Sequence, residues 1–390
     1  MTLKIINGRI ITDTVEKDKA LYIRDGKILA VTADEIAADE VIDAAGAYVS
    51  PGFVDLHTHG AGGTDFMDGT PEDVRTALQA HVQYGTTAIM PTCTTANPAS
   101  FRKSIEDIGA VMRENNPELP QVLGAHLEGP YFSQEQAGAQ APEFITDPIK
   151  EEYEELLSEY KGIIARWSFA PERKGAPEFC ETLIKHGVVP SIAHTNATYD
   201  EIMPVYNAGC RLMTHFYSGM SLLTRRQGFR VLGAVETGYL LDDMYVETIA
   251  DGKHLPPELL RLIYKVKSSD YICMVTDSMR GAGVEGIKEM ILGPIADGRI
   301  AIIEDGVAKM PDRINFAGSI ATTDRLVRVM HKEAGVDIVN AVKMMTKIPA
   351  KIAGANHIGA IEAGRDADIV LFNDNIEIQK VLLKGKERKI

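Results

Sequence analysis

What most limits the folds open to this chain is a texture that changes twice along its length. Between about residues 51 and 355, short apolar strings alternate with longer amphipathic stretches, strand then helix, again and again. Strands are expected at 54–56, 87–90, 122–126, 164–169, 188–193, 212–215, 245–249 and 272–276. Helices are expected between them at 71–85, 100–115, 149–162, 177–187, 198–209 and 256–265, and after the last strand at 323–335 and 338–346. Several open on proline and stop at glycine, the asymmetry that the unpaired N–H and C=O groups of helix ends produce. Eight strands with helical crossovers imply an α/β chain folded as a (β/α)8 TIM barrel, whose chemistry sits where the strands run out at their C-terminal ends.

The two ends of the chain read differently. Short strands at 3–6, 9–12, 20–23, 27–31 and 41–45 are punctuated by Asn7-Gly8 and Asp25-Gly26, both hairpin signals. The same texture returns at 368–372 and 378–383. Neither piece alone has strands enough to bury a core. A small β-sandwich domain built from both termini is therefore expected, with residues 1–50 and 356–390 flanking a catalytic barrel at 51–355.

Charge narrows the function. Acids outnumber bases 55 to 41, and a net charge of -14 repels nucleic acid and anionic membrane surfaces, so neither is expected as a partner. Cys93, Cys180, Cys210 and Cys273 form no C-x-x-C pair, which suits buried thiols in a reducing compartment. The N-terminal residues lack the apolar run of a signal peptide. A cytoplasmic protein is expected.

Polar residues gather where the strands end. The first closes with His57-Thr58-His59, the third with His126-Leu127-Glu128, the fifth with His194, the sixth with His215, the seventh with Asp251-Gly252-Lys253-His254 and the eighth with Asp277. Any one of these is compatible with a hydrogen-bonded loop residue. Together they aim imidazoles and carboxylates at one face, the donor set of a hydrolytic metal such as zinc. A metal-dependent hydrolase is expected.

These motifs carry a family resemblance. Pro51-Gly52-Phe53-Val54-Asp55-Leu56-His57-Thr58-His59 resembles the entrance to amidohydrolase barrels, and Gly364-Arg365-Asp366-Ala367-Asp368 resembles their closing β segment. His126-Leu127-Glu128-Gly129-Pro130, His194-Thr195-Asn196-Ala197, Thr214-His215-Phe216-Tyr217, Thr276-Asp277-Ser278-Met279 and Phe316-Ala317-Gly318-Ser319, in that order, resemble the N-acetylglucosamine-6-phosphate deacetylase family.

The resemblance implies Glu128, His194 and His215 as ligands of a principal divalent metal, with His57 and His59, and Asp277 beside them, able to form a second position. One or two ions are implied, zinc first, with iron, cobalt or manganese compatible with the same donors. It further implies Asp277 as the catalytic acid/base and His254 as a substrate-polarising group. Arg226 falls at the phosphate-binding arginine, and Ala139, Gln140, Ser218, Gly219, Phe316, Ala317 and Gly318 fall in substrate-facing stretches. The implied reaction is deacetylation of an N-acetylhexosamine 6-phosphate, most simply the glucosamine epimer, by a homodimer. Alternatives are the galactosamine epimer, a dihydroorotase-like or dipeptidase activity, and a sugar-phosphate sensor without catalysis. The chain departs from the family at Gln140, where an imidazole is usual, and at Ser218-Gly219, Gln227-Gly228 and Ala321-Thr322.

Overall fold

Each of the eight expected barrel strands forms, and each pairs in parallel with the next. In the computed structural model, which describes residues 1–296 and 298–389, they are Phe53–Thr58, Thr86–Thr94, Ala125–Glu128, Ile164–Phe169, Val189–Ile192, Leu212–Met213, Tyr245–Thr248 and Ile272–Met274. The ring closes between first and last. Thr58 bridges Ser278, and Asp277 N donates to the His57 carbonyl at 2.8 Å. Asp55, fully buried, accepts from Thr276 N at 3.2 Å and Thr276 Oγ1 at 2.5 Å, so one carboxylate staples the two strands.

Two strands differ from expectation for identifiable reasons. The third is broken at Leu123-Gly124: Gln121–Val122 pairs first with the second strand, and pairing resumes at Ala125–Glu128. Gly124 has φ of 122°, and a Cβ there would lie 2.5 Å from Ala165 Cβ, so only glycine lets the chain step inward. That step carries the strand on to Glu128. The second strand runs through Pro91 to Thr94, with a register irregularity that accommodates the proline.

Helices pack around the barrel as the caps dictate. Pro71–Val82 is capped by Thr70, whose side chain accepts from Asp73 N, and Pro98–Glu114 by Asn97 in the same way. Tyr199–Ala208 opens on a Thr198/Glu201 capping box. No helix is long and apolar enough to cross a membrane among the described residues.

The termini build two sheets against each other. One has the order Lys27–Thr32, Ala20–Arg24, Thr2–Ile6, Glu40–Asp43; the other runs Lys386–Arg388, Ile378–Leu383, Ile369–Phe372, Tyr48–Pro51, Arg9–Ile11, Val15–Glu16. Leu3, Ile5, Leu21 and Ile23 from the first meet Ile10, Val49, Ile369 and Leu382 from the second. Asp25-Gly26 turns a hairpin as expected. Asn7-Gly8 does not: it carries the chain from one sheet to the other. A Cβ on Gly8 would stand 2.5 Å from Val49 Cγ2, so this glycine lets the connection pass close against the neighbouring strand Tyr48–Pro51 rather than form a two-residue turn.

Two excursions were not expected from the sequence. Thr224–Arg226 and Phe229–Val231 form an exposed hairpin after the sixth strand, and Glu289–Leu292, Arg299–Glu304 and Val307–Lys309 form a three-stranded antiparallel insertion after the eighth. Both stand on the face where the barrel strands end.

Where the terminal sheets join the barrel, a Cβ on Gly52 would fall 2.1 Å from Thr87 Oγ1 and 2.4 Å from its Cγ2. Gly52→Ala is expected to cost about 1–3 kcal/mol through overpacking, and adding Thr87→Ala to recover part of it. Denaturant midpoints of the two single variants and the double variant check this.

Candidate metal centre and substrate cavity

Four imidazoles from three strand ends converge on one carboxylate, and a second carboxylate from a fourth strand end joins them. Glu128, 2% exposed, ends the third strand. Its Oε1 lies 3.0 Å from His215 Nε2, 3.3 Å from His194 Nε2 and 3.5 Å from His57 Nε2, and its Oε2 lies 3.4 Å from His59 Nε2. Asp277 Oδ1 sits 3.3 Å from His57 Nε2 and 3.2 Å from His59 Nε2. His194, His215 and Asp277 all have positive φ, at 43°, 27° and 47°. Non-glycine residues rarely adopt that conformation, and three at strand ends around one cluster mark a place where side-chain direction has been set against backbone preference.

The imidazoles are oriented from behind. His194 Nδ1 faces the Gln136 carbonyl at 2.8 Å and His215 Nδ1 faces the Ser218 carbonyl at 3.1 Å. A carbonyl only accepts, so each Nδ1 donates, and in the neutral ring Nε2 presents a lone pair to Glu128. A cation placed among them satisfies lone pairs aimed at a carboxylate from several sides. Two sets satisfy the geometry of a metal site, Glu128 with His194 and His215, and Glu128 with His57 and His59. The donors fit a divalent ion.

The same field shifts the acids and bases. Burial works to raise Glu128, but His57, His194, His215 and His59 outweigh it and hold the carboxyl well below its usual range. Asp277 is likewise pushed up by burial and pulled below its usual value by His57 and His59. Burial alone would depress His59, yet Asp277 and Glu128 lift it to about 9.

Beneath this layer lies a pair that the strand-end pattern did not reveal. Glu247, in the middle of the seventh strand and fully buried, is ion-paired to Arg166 of the fourth strand, and its Oε2 stands 3.5 Å from His57 Nδ1. Arg166 also donates to Ser191 Oγ, Thr214 Oγ1 and the Leu56 carbonyl. The signal in the sequence was a single charge inside each of two strands that carry no other, a pattern that marks the barrel interior.

A cavity of about 330 Å³ opens over the cluster. Of the substrate-facing expectations, Ala139, Gln140, Ser218, Gly219, His254, Phe316 and Gly318 line it, as do Asp277 and Glu128. Ala317 is wholly buried behind its neighbours and does not. Arg226 is exposed on the Thr224–Arg226 hairpin and also lies outside the cavity wall. His254 Nδ1 is 2.9 Å from Asp251 Oδ2, and its ring packs 4.6 Å from Phe316. Unanticipated wall residues include Glu135, Gln136, Leu292, Ile314 and Asn315; no lysine or arginine lines the cavity among the described residues.

Comparison with known proteins agrees with this geometry. The sequence profile of the amidohydrolase family matches residues 48–388. The chain belongs to the amidohydrolase family. This amidohydrolase is 30% identical over 338 residues to the N-acetylglucosamine-6-phosphate deacetylase of Vibrio furnissii, covering 86% of this chain and 82% of that one. It is 28% identical over 371 residues to the N-acetylgalactosamine-6-phosphate deacetylase of Escherichia coli O157:H7, covering 95% and 94%. Its structure is similar to the crystal structure of N-acetylglucosamine-6-phosphate deacetylase from Pasteurella multocida, with a TM-score of 0.92, 26% identity and full coverage of both chains.

The buried ion pair under the amidohydrolase cluster gives a stability prediction. Arg166→Met is expected to cost about 3–5 kcal/mol because it strands the Glu247 charge, while adding Glu247→Gln restores much of the loss. Equilibrium unfolding of metal-free protein measures both.

Proposed function

We propose that the protein is a metal-dependent deacetylase that hydrolyses the acetamide of an N-acetylhexosamine 6-phosphate, N-acetylglucosamine 6-phosphate foremost, releasing acetate and the amino sugar phosphate. The observation that carries this reading is the convergence of Glu128, His194 and His215 in the lining of one cavity that Asp277, held against His57 and His59, also lines. Relatives of both epimeric specificities support the substrate class, and the glucosamine epimer has the higher identity of the two. A dihydroorotase-like reading has less support, since the fourth strand, Ile164–Phe169, contains no lysine to bridge two metals. A sensor without catalysis has no use for a buried carboxylate beside the ligand cluster.

Glu128, His194 and His215 would hold the principal ion, with His57, His59 and Asp277 available to a second. Zinc, the first choice for a His/carboxylate set, supplies Lewis acidity that polarises an amide carbonyl and acidifies water. Asp277, held ionised, takes a proton from the attacking water and returns it to the departing amine nitrogen. His254, backed by Asp251 through Nδ1, keeps Nε2 for the substrate, where it meets the carbonyl oxygen as negative charge develops. Phe316 beside it offers an apolar face for the sugar ring or acetyl methyl.

The phosphate needs a cation, and among the described residues the wall of one cavity offers no lysine or arginine. Arg226 stands on an exposed hairpin with Phe229, 77% exposed, and near exposed Leu222 and Leu223. A homodimer that covers this apolar surface and carries Arg226 into the neighbouring cavity supplies the missing charge. Four free, buried cysteines suit a reducing, cytoplasmic setting.

Acetate release from a panel of N-acetylated sugars, phosphorylated and not, tests the reading. Turnover is expected with the 6-phosphates and little without phosphate; no acetate from any of them contradicts it. Asp277→Asn is expected to keep its substrate affinity and lose at least ~10²-fold in kcat, as removal of a positioned acid/base does. Glu128→Gln, His194→Ala and His215→Ala are each expected to lose the tightly bound ion and activity together, read by elemental analysis alongside rate. Arg226→Ala is expected to raise KM for the phosphorylated sugar while leaving the slow reaction of the unphosphorylated one unchanged.

A further inference from the structure

Gln140 stands between the cavity wall and the ligand cluster and is 6% exposed. Its Oε1 accepts from the backbone N–H of Thr95 at 3.0 Å and from Thr94 Oγ1 at 2.8 Å. A backbone N–H can only donate, so the atom facing it is the amide oxygen, and the two ways of placing the amide are not equivalent. Nε2 therefore points inward. It donates to Glu128 Oε2 at 2.8 Å and passes His194 Nε2 at 3.5 Å. Arg299 of the three-stranded insertion donates to the carbonyls of Ala139 and Gln140, at 3.3 and 3.2 Å, and holds the loop in place from outside.

The two oxygens of Glu128 thus keep different company. Oε1 faces His194, His215 and His57, whereas Oε2 faces His59 and the Gln140 N–H. Both candidate ion positions share this carboxylate. His194 and His215 both face Oε1, which leaves Oε2, the oxygen beside His59, to the second position, and it is on this oxygen that the hydrogen bond from Gln140 falls. An N–H donated to a carboxylate oxygen withdraws charge from it and occupies one of its lone pairs, which weakens that oxygen as a ligand. The oxygen serving His194 and His215 carries no such donor.

We propose that Gln140 is a positioning residue that makes the two halves of the cluster unequal, leaving the His194 and His215 side as the tight cation position and the His57 and His59 side as the weak one. This deepens the metal reading above and rests on it. It assigns the order of affinities to a side chain that ligates nothing itself.

Calorimetric titration of metal-free protein with zinc tests the proposal, using wild type, Gln140→Met and Gln140→Glu. Methionine removes the N–H at nearly constant volume. Glutamate keeps an acceptor for Thr94 and Thr95, preserving the fold of the loop, and replaces the inward N–H with oxygen. Wild type is expected to bind one ion tightly and a second more weakly, the weaker one disappearing in His57→Ala. In both Gln140 variants the ratio of the two dissociation constants is expected to narrow by about tenfold or more, through tightening of the second, the size associated with one hydrogen bond to a charged group. An unchanged ratio in both variants, or a second equivalent that appears in neither, overturns the role of Gln140 while leaving the metal reading standing. Absence of any tight ion in wild type overturns the metal reading and this proposal with it.

Discussion

A carboxylate buried at the mouth of an apolar barrel must be surrounded by groups that satisfy its charge, and the architecture of the strand ends answers to that one requirement. Glu128 has four imidazole nitrogens within 3.0–3.5 Å and an amide donor at 2.8 Å. Each imidazole comes from a chain segment whose backbone is pinned by something else. The first strand is stapled to the eighth by Asp55 and Thr276. Positive φ at His194 and His215 turns those rings inward, and the Gln136 and Ser218 carbonyls hold them there. The arrangement is expensive to bury as bare charge and becomes favourable around a cation.

A second layer keeps the first from relaxing. Arg166 and Glu247 neutralise one another in the barrel interior, and Glu247 in turn presents an oxygen to the far side of His57. Arg166 reaches from the fourth strand to acceptors on the first and fifth strands and at the end of the sixth. The functional face is therefore built on a polar floor rather than on aliphatic packing alone. Such a floor fixes ring orientation, which metal affinity and proton transfer both depend on.

The barrel was legible because strand and helix differ in period and because prolines and glycines mark helix ends with little ambiguity. The polar strand ends were legible too, since six of eight closing residues carried imidazole or carboxylate. What escaped was tertiary. Asn7-Gly8 has the local signature of a hairpin, yet its glycine answers to Val49, about forty residues on in the neighbouring strand of the sheet that the chain enters. Gly124, which steps the third strand inward toward Glu128, lies within a stretch that reads as one strand. Glu247 and Arg166 are visible as the lone charges of their strands, but nothing local says that they meet. Gln140 read as a substitution in a substrate-facing stretch, whereas its amide is committed to Glu128, Thr94 and Thr95. The three-stranded insertion after the eighth strand brings Leu292 to the cavity wall, which no motif announces.

The central claim is that the charge of Glu128 is met by a divalent ion shared with His194 and His215. Anomalous diffraction at the zinc edge, on crystals of zinc-loaded protein, tests it most directly. The account predicts a peak about 2.0–2.2 Å from one Glu128 oxygen and from the Nε2 atoms of His194 and His215. A fully loaded crystal whose only peaks lie away from these three side chains would contradict it.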